Sequence, residues 1–335
     1  MGQHLLQKIV VVTRQTRLSA LRAKYNTTAQ AKFLVGRARM MDAVRSGKSD
    51  ATIQSAASEG EALFDNIEQE NTRYEEAVRF IRQEVQDLLP VHIIDRQQVP
   101  QFLFGGDDIV VTVGQDGLVA NTAKYAVGLP IIAVNPDPSA IDGILLPFEV
   151  PQVRSAVQRV LSGRAEIKLV TLAEAVLADG QKLLAFNDLF IGAKTHVSAR
   201  YRLEFGRSSE IQSSSGLLVS TGAGSTGWFS SMCNMAGGVR RFLKKGSAEQ
   251  IDPIRMPWDD KRLAFVVREP FISKTSSAKI IADLVPPGSE LIIESRMEQN
   301  GVIFSDGIEA DFLEFNSGSV ARIRASQSQA TLVSP

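Results

Sequence analysis

Cysteine and histidine are scarce in this sequence of 335 residues, and their scarcity excludes several kinds of site. The single cysteine, Cys233, rules out an intrachain disulfide and a cysteine-based metal site. The three histidines, His4, His92 and His196, lie far apart and show no metal-ligand spacing. The sequence therefore predicts no dedicated metal centre.

An excess of either charge is also missing, because 37 Lys and Arg residues balance 37 Asp and Glu residues. The chain then has no general electrostatic attraction to nucleic acid or to an anionic membrane, and neither is an expected partner. No apolar run approaches the length of a membrane span. The apolar run KIVVV begins at residue 8, which leaves no room for a signal or transit peptide, and we expect a cytoplasmic protein.

The length favours about two domains, and a composition of 44% apolar and 22% charged residues is typical of globular proteins. In the first part, strands alternate with helices, which favours a parallel α/β layer. Apolar residues recur at three- or four-residue steps over 61–89 and predict a long amphipathic helix ended by Pro90. The other predicted elements are strands at 8–12, 91–95, 109–113 and 129–134 and helices near 121–127 and over 153–161.

The second part changes character. Runs rich in Val, Ile, Leu and Phe recur between Gly, Ser and Asp turns, from KLLAFNDLFIG to SVARIRAS, with little helical periodicity. This spacing predicts an all-β domain. We therefore predict a Rossmann-like α/β domain over residues 1–148, followed by a β-sandwich-like domain over residues 149–335.

The segment from Arg14 to Lys48 is strongly basic, with nine Lys or Arg residues and one acid, Asp42. Such a segment is usually a solvated helical face. It is also suited to an arm that meets phosphates or a partner subunit, and the sequence leaves both interpretations open.

The segment IVVTVGQDGLVANTA, residues 109–123, joins a buried strand to a helix start through Gly114-Gln115-Asp116-Gly117. Glycines let ligand oxygens approach main-chain N–H groups, and a helix amino terminus favours an anion. Asp116 follows the carboxyl end of a strand, where ligands bind in parallel α/β sheets. The segment predicts a phosphate site, although Asp-Gly is also an ordinary turn dipeptide.

A second glycine-rich segment, STGAGSTGWFSS at residues 220–231, matches the pattern G-x-G-x-x-G. A dinucleotide-binding fold would need a helix, a second strand and an acid about 20 residues further on. We expect Gly237 and Gly238 to interrupt the helix, and RRFLKKGSAEQ contains no strand that ends in an acid. The dinucleotide interpretation is therefore disfavoured.

The same segment is not a P-loop, because Trp228 stands where that motif requires Lys. It remains a loop of small and hydroxyl residues that can donate to phosphate or ribose, or else a plain turn between strands. Its candidate ligand-binding residues are Ser220, Thr221, Ser225 and Thr226.

A third segment, AFNDLFIG, places Asn187 and Asp188 inside an apolar run. Paired Asn and Asp side chains offer the donors and acceptors that suit a ribose diol. A strand-end turn or bulge is the alternative.

In chain order, four segments resemble the motifs of the NAD kinase family: GQDG (114–117), FND (186–188), STGAGSTGW (220–228) and FSDG (304–307). The family pattern is GGDG, an Asn-Glu pair, a T-G-S-T-type loop and a late Asp-Gly. The resemblance covers roughly residues 8–325, and the shared order makes it more specific than any single motif. Diacylglycerol and sphingosine kinases share the first motif but lack the Ser/Thr-Gly loop, which argues against a lipid substrate.

Finer details resemble the mitochondrial-type NAD kinases more than the common bacterial ones. These details lie in VVVTRQTRL, VNPDPSAIDGILLP, FNDLFIGAKTHVSARYRLEF and SSGLLVSTGAGS. The resemblance implies phosphorylation of the 2′-hydroxyl of the adenosine ribose of NAD to give NADP. It also implies ATP with Mg²⁺, or polyphosphate, as the donor and a homodimer or homotetramer as the assembly.

By position in the family motifs, Asp116 would orient or deprotonate the reacting hydroxyl, and Gly114 and Gly117 would line the pyrophosphate. Asn187 and Asp188 would hold a ribose and an adenine edge. The hydroxyl residues Ser220, Thr221, Ser225 and Thr226 would contact the nucleotide or the donor phosphate. Asp306 receives no role.

Several positions depart from the family pattern. Gln115 replaces a glycine beside the presumed base, and Asp188 replaces Glu, which shortens its reach by about 1.5 Å. Ser215 stands where many members carry Asp, although mitochondrial-type members also have Ser there. Trp228 replaces Tyr but keeps a stacking surface. These departures keep two alternatives open: a non-catalytic sensor of NAD or NADP, and a kinase for another hydroxylated acceptor such as a sugar or nucleoside.

Overall fold

The computed structural model describes residues 7–47, 49–244 and 254–335. Backbone contacts group them into two compact units. Unit 1 contains the described residues up to 119 together with 132–165, and unit 2 contains 120–131 and the described residues of 166–334. The division into domains at 148/149 stays a prediction. His4, Lys48 and the 245–250 end of RRFLKKGSAEQ lie outside the described residues.

Unit 1 contains parallel strands. Strand β1 (Ile9–Thr13) pairs in parallel with β2 (Val91–Asp95) and with β3 (Ile109–Val113). Strand β4 (Pro130–Asn135) pairs in parallel with the short β5 (Phe148–Glu149). All of β3 and most of β1 are buried, as expected for continuous Val and Ile runs in a parallel sheet. The four strands predicted for this region are confirmed.

Helix α3 (Asp50–Val85) is the long predicted helix, and it begins eleven residues before residue 61. The residues added at its start include few large apolar side chains, so the amphipathic stripe is weak there. From Gly60 onward a buried residue recurs every three or four positions. The buried positions are 60, 64, 67, 71, 74, 77, 81 and 85.

The basic segment forms helices α1 (Arg17–Tyr25) and α2 (Thr28–Arg45). Leu18 and Ala31 pack with Phe64 of α3 in a small apolar cluster, which holds both helices to unit 1. Most of the described basic side chains in the segment are exposed. Exposed side chains suit both a solvated face and an arm that meets phosphates or a partner subunit, so both interpretations stay predictions.

Two shorter helices follow the predictions to different degrees. Helix α5 (Val153–Leu161) matches its predicted bounds, and Gly163 follows it with a φ of 67°. Helix α4 (Asp116–Ala123) begins five residues before the predicted 121–127, at Asp116 itself. An acidic residue in the first turn complements the helix dipole, which favours this earlier start.

Unit 2 is built mainly of antiparallel strands. One set of strands runs in the order β10-β9-β14-β17, with β6 paired to β17 and β7 paired to β6. Thr331 and Leu332 of β17 also pair with Pro130 and Ile131. A separate six-stranded sheet has the order β13-β12-β11-β8-β15-β16. The strand bounds are β6 Glu166–Leu177, β7 Lys182–Ala185, β8 Asp188–Ala193, β9 Ala199–Phe205, β10 Ser208–Ser214, β11 Leu217–Ser220, β12 Leu263–Val267, β13 Ala282–Val285, β14 Leu291–Ser295, β15 Gly301–Ser305, β16 Ile308–Glu314 and β17 Val320–Ser334.

The apolar core of unit 2 draws side chains from both sets of strands, including Tyr201, Phe265 and Ile323. This arrangement confirms the predicted order of an α/β part followed by a β-sandwich-like part. No described helix is long and apolar enough to cross a membrane.

The helix after the second glycine-rich segment is longer than we expected. Helix α6 (Trp228–Leu243) runs through Gly237 and Gly238 without a break, so the expected interruption is wrong. The dinucleotide interpretation still fails, because β11, which leads into the segment, pairs antiparallel with both β8 and β12. A dinucleotide-binding βαβ unit requires parallel strands.

Candidate active site

The GQDG segment lies at the end of β3 in unit 1, and its two glycines meet different surroundings. A Cβ on Gly114 would lie 3.0 Å from Leu118 Cδ2 and 3.5 Å from Arg14 Cδ, so packing explains this glycine. A Cβ on Gly117 would meet no atom within 4 Å. The space above Gly117 is therefore open to a ligand.

Asp116 is half-buried, and both of its carboxylate oxygens accept main-chain hydrogen bonds in unit 1. Leu145 N donates to Oδ1 at 2.9 Å, and Ile144 N donates to Oδ2 at 3.1 Å. Gly143, with a φ of 58°, precedes these donors, and the left-handed backbone there favours glycine. The turn of 143–145 fixes the orientation of the carboxylate, which the sequence did not reveal.

In unit 2, Asn187 and Asp188 lie at the start of β8, where Asp306 binds their backbone. The carboxylate of Asp306 accepts hydrogen bonds from the N–H groups of Phe186 at 3.0 Å, Asn187 at 2.6 Å and Asp188 at 3.3 Å. Asp306 N donates to Asp188 O at 3.0 Å. Asp306 therefore positions the Asn-Asp pair, although sequence reasoning gave it no role.

Asp306 and Gly307 form the two-residue turn between β15 and β16, with φ angles of 54° and 69°. Positive φ at both positions is typical of the hairpin turn that Asp-Gly favours. An Asp-Gly dipeptide between two apolar runs was the signal for this hairpin, but it does not reveal where the Asp side chain points.

Asp188 is 8% exposed, and no hydrogen bond to its carboxylate occurs among the described residues. Burial, and then the negative charge of Asp306, raise the pKa of Asp188 to about 7. Burial also raises the pKa of Asp306, although its backbone donors and the Lys124 charge oppose this effect. The two acids form an interacting carboxylate pair in which Asp306 is half-buried, and the buried Asp188 is available to a ligand.

A buried lysine stands beside this pair and was not predicted. Lys124 Nζ donates to Ser305 Oγ at 2.7 Å and to Asp311 Oδ2 at 3.1 Å, and the Tyr125 hydroxyl also donates to Asp311. Ser305 immediately precedes Asp306. Lys124, in the turn directly after α4, thereby contacts the end of β15 beside the hairpin turn, and nothing in the sequence around it signals this contact.

The Ser/Thr-Gly loop contacts the same backbone. Thr221 Oγ1 donates to Phe186 O at 2.6 Å, and Thr221 N donates to Asn187 O at 2.9 Å. Ser220 Oγ donates to Thr221 O at 3.2 Å, and Ser225 Oγ donates to Gly222 O at 2.7 Å. These three hydroxyl groups are buried and hold the loop together.

The fourth predicted hydroxyl residue, Thr226, is exposed. The glycines of the loop are required by packing, since a Cβ on Gly222 would clash with Pro257 O and a Cβ on Gly224 with Asn187 O. The structure thus brings Asn187 and Asp188 together with the 220–226 loop. Gly114, Asp116 and Gly117 form a second group within unit 1.

The predicted stacking surface of Trp228 contacts other side chains of unit 2. Its ring stacks on Phe190, with centroids 5.8 Å apart and an interplanar angle of 10°. The Arg268 guanidinium lies 5.6 Å from the Phe190 centroid and 5.3 Å from that of Trp228. These groups line a cavity of about 520 Å³ that also includes Ser215.

Comparisons with known proteins support the fold. The chain matches no protein-family profile and no curated protein at the sequence level. Among solved structures, it is similar to the crystal structure of yeast NADH kinase complexed with NADH, with a TM-score of 0.54 and 14% sequence identity. The similarity covers 99% of this chain and 84% of that chain. The chain therefore has the NAD kinase fold, with an α/β part followed by a β-rich part.

Proposed function

We propose that this chain is a kinase that phosphorylates the 2′-hydroxyl of the adenosine ribose of NAD, giving NADP. The observation that carries the proposal is the fold similarity to yeast NADH kinase over 99% of the chain, together with the four motifs in family order. The clustering of Asn187 and Asp188 with the 220–226 loop supports it, since these segments lie far apart in sequence.

In this proposal Asp188 and Asn187 bind the nucleotide through ribose hydroxyls and an adenine edge. The Asp188 carboxylate is buried but hydrogen-bonded to no described residue, which leaves its oxygens for hydroxyl donors. Asp306 holds the backbone of both residues through three N–H donors. Rigid backbone of this kind supports the orientation of a diol.

Asp116 is the proposed general base. An ionised carboxylate offers about four lone-pair sites, and the N–H groups of Ile144 and Leu145 use two of them. The remaining sites can accept the 2′-hydroxyl proton while the oxygen forms its bond to the γ-phosphorus of the donor. The bond from that phosphorus to the β–γ bridging oxygen breaks, and ADP leaves with its electron pair.

The remaining ligand contacts are assigned by position. Gly114 and Gly117 line the pyrophosphate, and Thr226 and the main chain of its loop contact the nucleotide or the donor phosphate. Ser220, Thr221 and Ser225 maintain the loop that places those contacts. Trp228 and Arg268 offer an aromatic and cationic surface to a planar ring.

Mg²⁺ is proposed to enter with ATP as part of the substrate. Among the described residues there is no group of three or more His, Cys, Asp or Glu side chains suited to a metal ion. Mg²⁺ that bridges donor oxygens would neutralise charge during phosphoryl transfer. We further propose a cytoplasmic homodimer or homotetramer of the mitochondrial-type subgroup, with ATP or polyphosphate as the donor.

The test is NADP formation by the purified protein, read with an NADP-specific dehydrogenase. NAD and NADH are each supplied with MgATP or polyphosphate, and reactions without a donor are the control. Turnover that requires donor and protein supports the proposal. Folded protein that gives no product with any pair contradicts it, and NAD affinity then separates a sensor from a kinase with another acceptor.

A further inference from the structure

A small cavity of unit 1 lies beside the GQDG segment and has no role in the assignments above. Its volume is about 290 Å³, and its lining includes Arg14, Arg17, Arg73 and Gln115. Arg14 directly follows β1, and Gln115 lies just beyond the end of β3. The cavity therefore lies at the carboxyl ends of parallel strands, where ligands bind in α/β sheets.

Contacts at the backbone N–H, the aliphatic part of the side chain and the guanidinium hold Arg14 in place. Its N–H donates to the Tyr74 hydroxyl at 2.8 Å, which donates in turn to Val113 O at 2.9 Å. Burial raises the pKa of Tyr74 to about 12, so the phenol keeps its proton. The guanidinium lies 5.0 Å from the Tyr74 ring centroid, and the stem passes next to the bare Cα of Gly114.

The charges around the cavity are unequal. Arg14 Nη2 lies 2.9 Å from Glu70, and Arg17 reaches the same carboxylate only at 3.9 Å. Arg73 Nη1 lies 3.0 Å from Asp137. Three guanidinium groups thus face two carboxylates, which leaves an excess of positive charge.

Several donors in the cavity are available to a ligand. The side chains of Arg17 and Arg73 are 73% and 52% exposed, so each can turn toward a ligand. Arginine offers planar, paired donors that match phosphate oxygens.

We propose that this cavity binds the oligophosphate chain of the phosphoryl donor, an inference that rests on the proposed kinase function. Its volume of about 290 Å³ is just below the roughly 300–1,000 Å³ of small-molecule pockets, which suits a phosphate chain better than a whole nucleotide. Gln115 lines the cavity and adjoins Asp116, the proposed base. The Gln side chain, which departs from the family glycine, becomes an amide donor to phosphate.

Binding measured without the acceptor tests this proposal. Calorimetric titrations with MgATP and with magnesium tripolyphosphate are made on the wild type, Arg73→Gln and the Arg17→Gln/Arg73→Gln double variant. Both positions are exposed, so the variants keep the fold, as a thermal melt checks. Because a charge-assisted contact to phosphate is lost, we expect at least roughly tenfold weaker binding of both probes. Arg73→Lys keeps the charge and recovers part of the affinity.

Arg154→Gln is the matched control, because Arg154 also pairs with an aspartate, Asp87 at 2.7 Å, but lies outside the cavity. It should bind both probes like the wild type. Unchanged affinity of the double variant for both probes would overturn the proposal, and so would a loss confined to MgATP, since the phosphate chain is then not what the arginines bind.

The result is separable from the kinase proposal itself. If both probes bind in an arginine-dependent way but the protein makes no NADP, the donor-phosphate site is supported and NAD as the acceptor is contradicted. If the double variant forms NADP with the donor KM of the wild type, the kinase function is supported and the donor-phosphate site is contradicted.

Discussion

The candidate groups of unit 1 and those of unit 2 differ in how their polar side chains are used. In unit 2, Thr221 and Ser225 are buried and the half-buried Asp306 accepts three main-chain N–H groups, so all three side chains are bonded to main chain of the same unit. In unit 1, Asp116 is half-buried, Gly117 faces open space, and Arg17 and Arg73 are exposed. The comparison shows that the candidate groups of unit 2 are fixed by their own main chain, whereas those of unit 1 are left more open to solvent.

The largest stability effect is expected for Asp306→Ala. The change leaves the N–H groups of Phe186, Asn187 and Asp188 without their acceptor, and each unsatisfied buried group costs about 1–3 kcal/mol. Urea unfolding should show a loss on the order of 4 kcal/mol. Asp179→Ala is the control, since that carboxylate accepts from an exposed turn at Gln181. Equal losses in the two variants would show that Asp306 is not a framework residue.

The second prediction concerns the pH dependence of stability. Asp188 has a pKa of about 7 in the folded protein, whereas an unfolded aspartate titrates near about 3.9. Between these pH values Asp188 is protonated in the folded state but ionised in the unfolded state. Its contribution to the free energy of unfolding is therefore complete below about pH 4 and is lost as the pH rises to about 7. Asp188→Asn removes it.

The measurement is urea unfolding of the wild type and Asp188→Asn at about pH 5 and about pH 8. The wild type should lose on the order of 3 kcal/mol more than the variant over this range. Parallel declines in the two proteins would mean that Asp188 is not a buried acid with a raised pKa.

Lys124→Met should have a smaller effect. The change removes the donor to Ser305 and Asp311, and the carboxylate of Asp311 is 31% exposed, so water replaces part of the lost interaction. We expect a loss of about 2 kcal/mol in the free energy of unfolding. Lys32→Met, which breaks the exposed pair with Asp65, should change it by less than about 1 kcal/mol. A loss no larger than that of the control would show that Lys124 does not stabilise unit 2.

Gly117→Ala should affect stability least. A Cβ at this position meets nothing within 4 Å, so the free energy of unfolding should stay within about 0.5 kcal/mol of the wild type. If phosphate oxygens approach this backbone, the methyl group will obstruct them, and turnover should fall roughly tenfold or more. Gly238→Ala in α6 is equally free of contacts and should leave turnover unchanged. Unaltered turnover in Gly117→Ala would place the phosphates elsewhere.

Much of the fold could be read from local patterns. Strands such as Ile109–Val113 are continuous Val and Ile runs, and α5 ends before a glycine in the left-handed region. The start of α4 at Asp116 and the unbroken α6 were not predicted, because a turn dipeptide and a Gly-Gly pair are weak local signals that surrounding structure overrides.

The contacts of the site depend on chain segments far apart in sequence, which local patterns do not encode. Asp306 binds the backbone of Asn187, and Lys124 binds Ser305. The hydroxyls of Ser220, Thr221 and Ser225 were identified as ligand donors from their residue type, but in the structure they donate to main-chain carbonyls. Residue type predicts the ability to hydrogen-bond, and only the fold determines the partner.

The most direct test of the central claim compares turnover and NAD affinity in Asp116→Asn. The amide keeps the size of the carboxylate but is not a base, so we predict that NADP formation falls roughly a hundredfold or more. The NAD dissociation constant, measured by calorimetry, should be unchanged, because the proposed contacts of Asn187, Asp188 and Gly117 to NAD stay in place. Near wild-type turnover would contradict the account, since Asp116 would then not be the group that takes the proton.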